Sequence, residues 1–327
     1  MDRKVKTKII IGIIFSGFFL ALAIRNVSFS QLLKAMADAN YLFLIPAFLL
    51  TLLVYWLRAV RWRYLLIPIK PIRNNQLFII TMIGFMVNNV LPVRVGELVR
   101  AYLLGKQENL SKSLSLATVV VERLLDSFAI LSLSLPILFI FSFPGWIKRV
   151  GIIFLIFYAL IICFLFLLHY FSVPIIRILE KLIHPISVGF SNRIEHILES
   201  FCQGLNLFKF RKQIFWVFFY SYSIWLGASL IVLLVLYAFH FNFPFYAPFL
   251  ILAFIALGAA IPSSPGFVGT LQFFCVTGLA LFGIPESEAL GFSIAYHASQ
   301  YIPITSIGLF FMWKTNMHFK ELPKEKR

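Results

Sequence analysis

A polar segment at residues 88–100 constrains the fold more than any other feature, because it interrupts an otherwise apolar part of the chain. The segment reads Asn-Asn-Val-Leu-Pro-Val-Arg-Val-Gly-Glu-Leu-Val-Arg. An ionisable side chain at the centre of a bilayer costs about 2.5–3.5 kcal/mol on insertion scales. Proline and glycine break a helix and free backbone groups that lipid cannot satisfy. The segment is therefore predicted to line a protein interior or a wet cavity, as the broken helices of transporters do.

The composition around this segment is that of a polytopic membrane protein. Of the 327 residues, 61% are hydrophobic and 13% are charged, whereas a soluble domain is about half apolar and about a quarter charged. Apolar runs of about 18 residues or more recur, which is the length of a membrane-spanning helix. The net charge of +16 comes from lysines and arginines in loops and tails, as the positive-inside rule requires. Nucleic-acid binding is therefore not expected.

Six full spans are predicted from the apolar runs, at about residues 8–24, 41–66, 113–143, 150–171, 213–239 and 287–313. Two further apolar regions, 76–105 and 248–284, are each broken by polar residues, proline and glycine. Each half is short for a full span, so each region is predicted to form a re-entrant helical hairpin. Ten full crossings are the alternative.

Clusters of lysine and arginine predict how these helices are oriented in the membrane. Basic residues precede the first span, close the chain, and mark the end of the second span as cytoplasmic, at Arg58, Arg61, Arg63, Lys70 and Arg73. Both termini are thus predicted to be cytoplasmic. The two hairpins then enter from opposite sides, which suggests an inverted repeat. Because Ala21-Leu22-Ala23 resembles a signal-peptidase site, a cleaved signal peptide is the alternative to an uncleaved first span.

A short amphipathic link is predicted after the first span, at about residues 25–40. Residues 173–212 have a different pattern. Apolar residues recur there at helical spacing and charged residues fill the other face, which predicts an amphipathic helix or pair along the cytoplasmic interface. A docking surface for a partner protein is the alternative. Residues 1–313 are expected to form a single transmembrane domain, and residues 314–327 a short basic cytoplasmic tail.

The first polar cluster consists of Asn88, Asn89, Arg94, Glu97 and Arg100. Glu97 and Arg100 lie three residues apart on the helix that leaves the break, so they can pair. Backbone N–H groups at a helix start, together with Arg94, form a natural anion site. A lipid phosphate would suit this site, and the alternative is an ion network that only fixes the hairpin.

The second cluster consists of Glu122, Arg123 and Asp126, in the middle of the third span. Glu122 and Asp126 share one helix face. With the first cluster, the set comprises three arginines and three carboxylates, and this balance favours pairing among themselves. A protonatable carboxylate in a membrane also serves proton coupling, so both interpretations stay open.

The third cluster occupies the break of the second hairpin. Gly266 and Gly269 permit tight turns and close approach of a ligand. Neutral hydrogen-bonding groups come from Ser263, Ser264, Thr270 and Gln272. A plain helix corner is the alternative to a substrate-binding role.

No motif for catalysis or metal binding stands out in the sequence. The three cysteines lack the spacing of a disulfide framework or metal site, and no HExxH or phosphate-loop motif occurs. Ser263 and Ser264 have no evident base, and His297 is predicted to be a satisfied interior histidine. Catalytic residues, cofactors and metals are therefore not expected.

The three clusters together resemble the signatures of a known family. The matching stretches are Asn88-Asn89-Val90-Leu91-Pro92-x-Arg94-x-Gly96-Glu97-x-x-Arg100, Val120-Val121-Glu122-Arg123-x-x-Asp126 and Pro262-Ser263-Ser264-Pro265-Gly266-x-x-Gly269-Thr270-x-Gln272. On these motifs the chain resembles the lysylphosphatidylglycerol synthase transmembrane-region (flippase-like) family over about residues 41–313. Gln272 departs from the pattern, since many members have glutamate there, and this argues against a mechanism that needs a charge at this position.

The resemblance implies a role in lipid translocation. Family members fused to a soluble aminoacyltransferase domain make aminoacyl-phospholipids, and their transmembrane part is associated with moving them across the membrane. Such a domain does not follow residue 313 here. A stand-alone member is thus expected, and lysylphosphatidylglycerol synthesis is not.

The leading hypothesis is a lipid translocase of a prokaryotic plasma membrane. An anionic headgroup would meet Arg94 and Arg100, with Arg123 as a third candidate, while the tails stay in lipid. Carboxylates in the clusters would orient these arginines or exchange protons. The alternatives are an integral-membrane transferase acting on a lipid headgroup, and a non-catalytic partner in an envelope-synthesis complex. A membrane-protein partner or a homo-oligomer would fit the last of these.

Overall fold

The computed structural model describes residues 3–91, 94–170, 211–261 and 263–317, and their regular structure is helical throughout. The described residues form the helices α1 Arg3–Ile24, α2 Phe29–Asp38, α3 Leu44–Leu66, α4 Asn74–Val90, α5 Val95–Glu108, α6 Lys112–Ile140, α7 Gly145–Tyr170, α8 Arg211–Ala238, α9 Ala247–Ala260, α10 Thr270–Ala280 and α11 Glu286–Lys314. The predicted all-α class is confirmed.

Six helices coincide with the six predicted spans, namely α1, α3, α6, α7, α8 and α11. They contain between 22 and 29 residues. At about 1.5 Å per residue, each can cross a hydrocarbon core of about 30 Å. Within the described ranges, the segments that are both long enough and contain a sufficiently apolar stretch to cross a membrane are Tyr41–Leu66, Lys112–Ile140 and Arg211–Ala238, and the bent pair of α1 and α2 would add a fourth. The chain is an all-α polytopic membrane protein.

Both predicted helix breaks are present. Helix α4 ends at Val90 and α5 begins at Val95, while α9 ends at Ala260 and α10 begins at Thr270. A single 3-10 turn, Pro265–Phe267, lies inside the second break. Each of the four half-helices has between 11 and 17 residues, which is short for a full span of about 20 residues.

Glycines allow each pair of half-helices to fold back closely on itself. An ideal Cβ placed on Gly96 of α5 would lie 1.8 Å from the carbonyl oxygen of Gly84 in α4. One placed on Gly258 of α9 would lie 2.7 Å from the carbonyl oxygen of Thr270 in α10. Two helical hairpins are therefore present, and their re-entrant placement in the membrane stays a prediction.

The chain divides into two compact units. The first comprises the described parts of Met1–Arg58, Phe78–Val99 and Tyr222–Arg327, and the second those of Ala59–Leu77 and Arg100–Ser221. Both helix breaks belong to the first unit. In that unit α11 packs closely on α4, since a Cβ on Gly308 would lie 2.2 Å from the Cβ of Met86.

Helix α2 is the amphipathic link predicted after the first span. It follows α1 at an angle of 85°. Leu32 is buried on one side of α2, while Phe29 and Leu33 are 69% and 64% exposed on the other. The second predicted amphipathic segment, 173–212, lies outside the described residues except for Arg211 and Lys212, which begin α8. The tail is described only as far as residue 317, so its cytoplasmic position stays a prediction.

Candidate functional site

The predicted site residues of the first unit, apart from Glu97, gather at the two helix breaks. We call this group the hairpin-tip cluster, and its members are Asn88, Asn89, Arg94, Ser263, Ser264, Gly266, Gly269, Thr270 and Gln272. Most of its polar members are buried. A buried polar group needs a hydrogen-bond partner to avoid a cost of about 1–3 kcal/mol, so the partners of each member define the geometry of the site.

Asn88 holds the first hairpin tip in shape. Its Oδ1 accepts a hydrogen bond of 2.7 Å from the backbone N–H of Gly96, one of the N–H groups that a helix start leaves without an intrahelical partner. One such donor of α5 is therefore already bonded within the protein. The neighbouring Asn89 donates from Nδ2 to Oγ1 of Thr305 in α11, at 2.9 Å.

Arg94 connects the first break to the second. Its guanidinium donates to the carbonyl oxygen of Ala259, at the end of α9, and its Cζ lies 5.3 Å from the ring centroid of Phe267, in cation–π range. The backbone of Arg94 has φ +54°. A non-glycine residue in this left-handed region costs about 1–3 kcal/mol and commonly marks a functional site.

The glycines of the second break are required by both backbone angle and space. Gly266 has φ +69°, and a Cβ there would lie 2.7 Å from the ring of Tyr301 and 3.4 Å from the carbonyl oxygen of Asn89. Gly269 has φ +91°, and its Cβ would lie 2.3 Å from the backbone oxygen of Ser16 in α1. Both hairpin tips and α1 thus meet closely at this point.

The hydroxyl groups of the second break are used inside the protein. Oγ1 of Thr270 donates to Oγ of Ser263 at 3.2 Å, and the backbone N–H of Ser264 donates to Oγ of Ser16 at 2.8 Å. Sequence reasoning missed Ser16. The only local signal was a hydroxyl within an apolar run, and that is common in membrane helices.

Gln272 joins the second break to α11. Its Oε1 accepts from the backbone N–H of Gly269 at 2.7 Å, and its Nε2 lies 3.0 Å from Nδ1 of His297. His297 is mostly buried and has this amide as a polar partner, as predicted for a satisfied interior histidine. The amide of Gln272 therefore fixes the start of α10 through neutral hydrogen bonds.

Glu97 differs from the prediction made for it. It lies in the first turn of α5, is only partly buried, and makes no ion pair with any described residue. The pair predicted between Glu97 and Arg100 is not found, because Arg100 bonds instead to a carboxylate on another helix.

The second unit contains a buried ion network, formed by Arg61, Arg100, Glu122 and Asp126. Arg61 donates from Nη1 to Asp126 at 2.8 Å, and its Nη2 lies 3.4 Å from Glu122. Arg100 donates to the other oxygen of Glu122 at 2.6 Å. The exposed side-chain fractions of these groups are between 0% and 7%. Two guanidinium groups here balance two carboxylates.

Neutral side chains and one further arginine surround this network. Oγ of Ser221 in α8 accepts from Arg61 at 3.1 Å. The indole of Trp62 donates to Thr118 at 3.0 Å and lies 4.2 Å beneath the guanidinium carbon of Arg100. At the edge, Arg123 reaches Asp126 at 3.2 Å with 28% of its side chain exposed. The network thereby joins α3, α5, α6 and α8.

The ion network has the geometry of a structural brace. Removing one member of a buried pair costs about 3–5 kcal/mol, because the partner charge is left uncompensated. Arg61 was predicted only as part of a cytoplasmic basic cluster, and the structure places it at the centre of this network. Arg100, Glu122, Arg123 and Asp126 belong to the second unit, and their predicted contact with a substrate stays a prediction.

Comparison with known proteins identifies the family. The chain matches the family described as lysylphosphatidylglycerol synthase TM region over residues 9–308. It is 31% identical over 147 residues to the UPF0104 membrane protein MJ1595 of Methanocaldococcus jannaschii, a match that covers 44% of each protein. The chain thus matches less than half the length of this relative.

Other archaeal relatives match over most of their length. The chain is 28% identical to the UPF0104 membrane protein MJ1078 of Methanocaldococcus jannaschii, over 74% of this chain and 99% of the relative. It is 22% identical to a UPF0104 membrane protein of Methanothermobacter thermautotrophicus, over 94% of this chain and 95% of the relative. No solved structure matches. Since the family match covers nearly the whole chain, the protein belongs to the lysylphosphatidylglycerol synthase transmembrane-region family.

Proposed function

We propose that the protein is a lipid translocase, in which the hairpin-tip cluster binds an anionic, phosphate-bearing headgroup as it crosses a prokaryotic plasma membrane. Both termini lie in the cytoplasm in this proposal. The observation that supports it most directly is Arg94, a cation held at the meeting point of two helix breaks. The family description names a lysylphosphatidylglycerol synthase, whose lipid product carries a phosphate, and we extend phosphate-bearing lipids to this chain.

The surroundings of Arg94 suit a phosphate ligand. Two of its contacts are with neutral groups, the Ala259 carbonyl and the Phe267 ring. A guanidinium binds phosphate with two parallel hydrogen bonds, which are roughly twice as strong as bonds between neutral groups. A phosphate could therefore replace or supplement these neutral contacts when it arrives.

The arginines of the second unit have a different role in this proposal. Arg61 and Arg100 are already bonded to buried carboxylates, and a headgroup would have to break those pairs to reach them. We assign them, with Glu122 and Asp126, to bracing the helices of their unit. The hydroxyl and amide groups near Gly266 and Gly269 would guide the headgroup at the second break.

A translocation assay tests this function. Purified protein is reconstituted in vesicles that contain a trace of fluorescent phosphatidylglycerol, and dithionite quenching reports how fast the inner-leaflet probe reaches the outside. A charge-assisted hydrogen bond contributes about 1.5–3 kcal/mol, so Arg94→Ala is expected to slow exchange about tenfold or more. Arg94→Lys keeps the charge and should retain part of the rate.

Arg25→Ala is the matched control, because Arg25 is an exposed arginine in the link between α1 and α2. This variant should exchange the probe at the wild-type rate. Equal rates for wild type and Arg94→Ala, with both proteins folded, would refute a headgroup site at Arg94. No protein-dependent exchange in the wild type would refute the translocase itself.

A further inference from the structure

A cavity with several charged and polar side chains in its lining lies in the first unit, away from the helix breaks. It has a volume of about 400 Å³, within the range of about 300–1,000 Å³ typical of small-molecule sites. Its lining comes from α2, from the turn after α8 and from the start of α11, and its polar members are Gln31, Lys34, Asp38, His240 and Glu288.

Several hydrogen bonds hold the walls of this cavity together. The backbone N–H of Ser28 donates to Oγ of Ser287 at 3.0 Å, which ties α2 to α11. The backbone N–H of Asn40 donates to the carbonyl oxygen of Ala238 at 2.7 Å, which ties the end of α2 to α8. Because three elements are fixed to one another, the cavity is largely preformed.

The charged residues at the two ends of α8 and α11 predict that this cavity lies at the extracytoplasmic end of the protein. Helix α8 starts with Arg211 and Lys212 at its other end, and α11 finishes there with Lys314. The cavity end of α11 instead begins with Glu286 and Glu288. In the orientation predicted from the basic clusters, the cavity therefore opens toward the outer leaflet.

The neighbouring surface is suited to lipid contact. Helix α2 turns by 85° from α1, so it would lie along the membrane surface if α1 spans the bilayer. Phe29 and Leu33 are exposed on the same helix that contributes Lys34 and Asp38 to the cavity. An amphipathic helix with this pattern rests at the boundary between headgroups and acyl chains.

The charges of the lining determine which headgroup fits. One lysine faces two carboxylates, and Lys34, Asp38 and Glu288 make no ion pairs within the described part of the chain. The excess negative charge favours a cation over a purely anionic headgroup, while Lys34 offers a partner for a phosphate. Among the described residues, no group of His, Cys, Asp or Glu side chains could hold a metal ion.

We infer that this cavity binds a headgroup in which a primary ammonium adjoins a phosphate, presented by a phospholipid of the outer leaflet. Asp38 and Glu288 receive the ammonium, and Lys34 receives the phosphate. Phe29 and Leu33 lie against the acyl chains. The site is separate from the hairpin-tip cluster and does not depend on translocation.

Binding of short-chain lipids to the purified full chain with Arg94→Ala, which removes the cation proposed to bind headgroups at the hairpin tips, tests the inference, and the other variants are made in this parent protein. Three probes are titrated below their micelle concentrations: dihexanoyl-phosphatidylethanolamine, dihexanoyl-phosphatidylglycerol and glycerophosphoethanolamine. The ethanolamine lipid is expected to bind at least about tenfold more tightly than the glycerol lipid, because one charged contact contributes about that factor. Glycerophosphoethanolamine lacks the acyl chains and should bind more weakly than the lipid.

Variants assign the binding to the cavity. Asp38→Asn/Glu288→Gln should weaken ethanolamine-lipid binding about tenfold or more. Glu286→Gln changes an acidic residue that lies two positions from Glu288 and accepts a hydrogen bond from Asn26, so it should bind like the parent protein. Lys34→Gln should also weaken binding of the ethanolamine lipid. Because Lys34 is exposed, this variant is expected to fold, so it tests the cavity even if the double variant misfolds.

Three results would overturn the inference. The first is equal affinity for the two lipids, and the second is ethanolamine-lipid binding that neither the double variant nor Lys34→Gln weakens. The third is glycerophosphoethanolamine binding as tight as that of the lipid, which would assign the cavity to a water-soluble ligand instead.

Discussion

Gly269 shows how narrowly the second helix break is defined at the scale of one residue. It combines a φ of +91° with a Cβ position 2.3 Å from the backbone oxygen of Ser16. Gly283 has only the first constraint, since φ is +77° and a Cβ there would meet nothing within 4 Å. Gly17 of α1 has nothing within 4 Å and no unusual φ. Comparing these three glycines therefore distinguishes the effect of backbone strain from the effect of steric crowding.

Alanine substitution of these glycines should give a ranked series of melting temperatures. Gly269→Ala should lower the free energy of unfolding by about 2–6 kcal/mol, from about 1–3 of strain and about 1–3 of overpacking. Gly283→Ala should lose only the strain part, and Gly17→Ala, inside a helix, should be neutral or stabilising by up to about 1 kcal/mol. Thermal unfolding of the purified variants measures the order. Equal melting temperatures for Gly269→Ala and Gly283→Ala would show that α1 does not approach the break as closely as described.

At the scale of helices, sequence reasoning found the breaks but not what stabilises them. Proline, glycine and polar residues in apolar runs are local signals, so the ends of α4 and α9 were predictable. The partners of Arg61 and Ser16 lie 65 and 248 residues away, and no local pattern reports such distances. Arg61 therefore resembled an ordinary member of a cytoplasmic basic cluster, although it is a buried centre of the ion network.

Helix α1 contacts the second helix break, and cleavage of a signal peptide would remove these contacts. Ser16 accepts the Ser264 N–H, and a Cβ on Gly12 would lie 3.1 Å from the carbonyl oxygen of Ser263. Cleavage near Ala23 would remove both contacts from the second break. The uncleaved first span stays a prediction.

The ion network predicts a large difference between two neighbouring arginines. Arg61→Met leaves Asp126 and Glu122 without one of their partners in a buried place, at a cost of about 3–5 kcal/mol. Arg123→Met is the control, because Arg123 contacts one carboxylate at the edge of the same network, with 28% of its side chain exposed, and Asp126 keeps its closer contact with Arg61. Melting temperatures in detergent should thus fall much further for Arg61→Met. The brace interpretation fails if Arg123→Met is equally destabilising.

At the scale of the whole molecule, residues that the sequence suggested as one constellation fall into two units. In the hairpin-tip cluster two contacts of Arg94 are with neutral groups, whereas in the second unit Arg61 and Arg100 pair with buried carboxylates. All three arginines look alike in the sequence because they carry the same charge. Their roles differ because each contacts different helices, and the sequence does not show those contacts. We therefore propose Arg94 as the centre of headgroup recognition, and the ion network as a brace for the helices of its own unit.

Lipid retention measures this central claim most directly. Native mass spectrometry of purified wild type, Arg94→Ala and Arg25→Ala would identify the lipids that remain bound. We predict that wild type and Arg25→Ala retain one anionic lipid class enriched about fivefold or more over the membrane extract, and that Arg94→Ala loses it, since a guanidinium–phosphate contact accounts for such a factor. If all three proteins retain the same bulk phospholipids, Arg94 does not bind a headgroup, and its charge only fixes the two hairpins together.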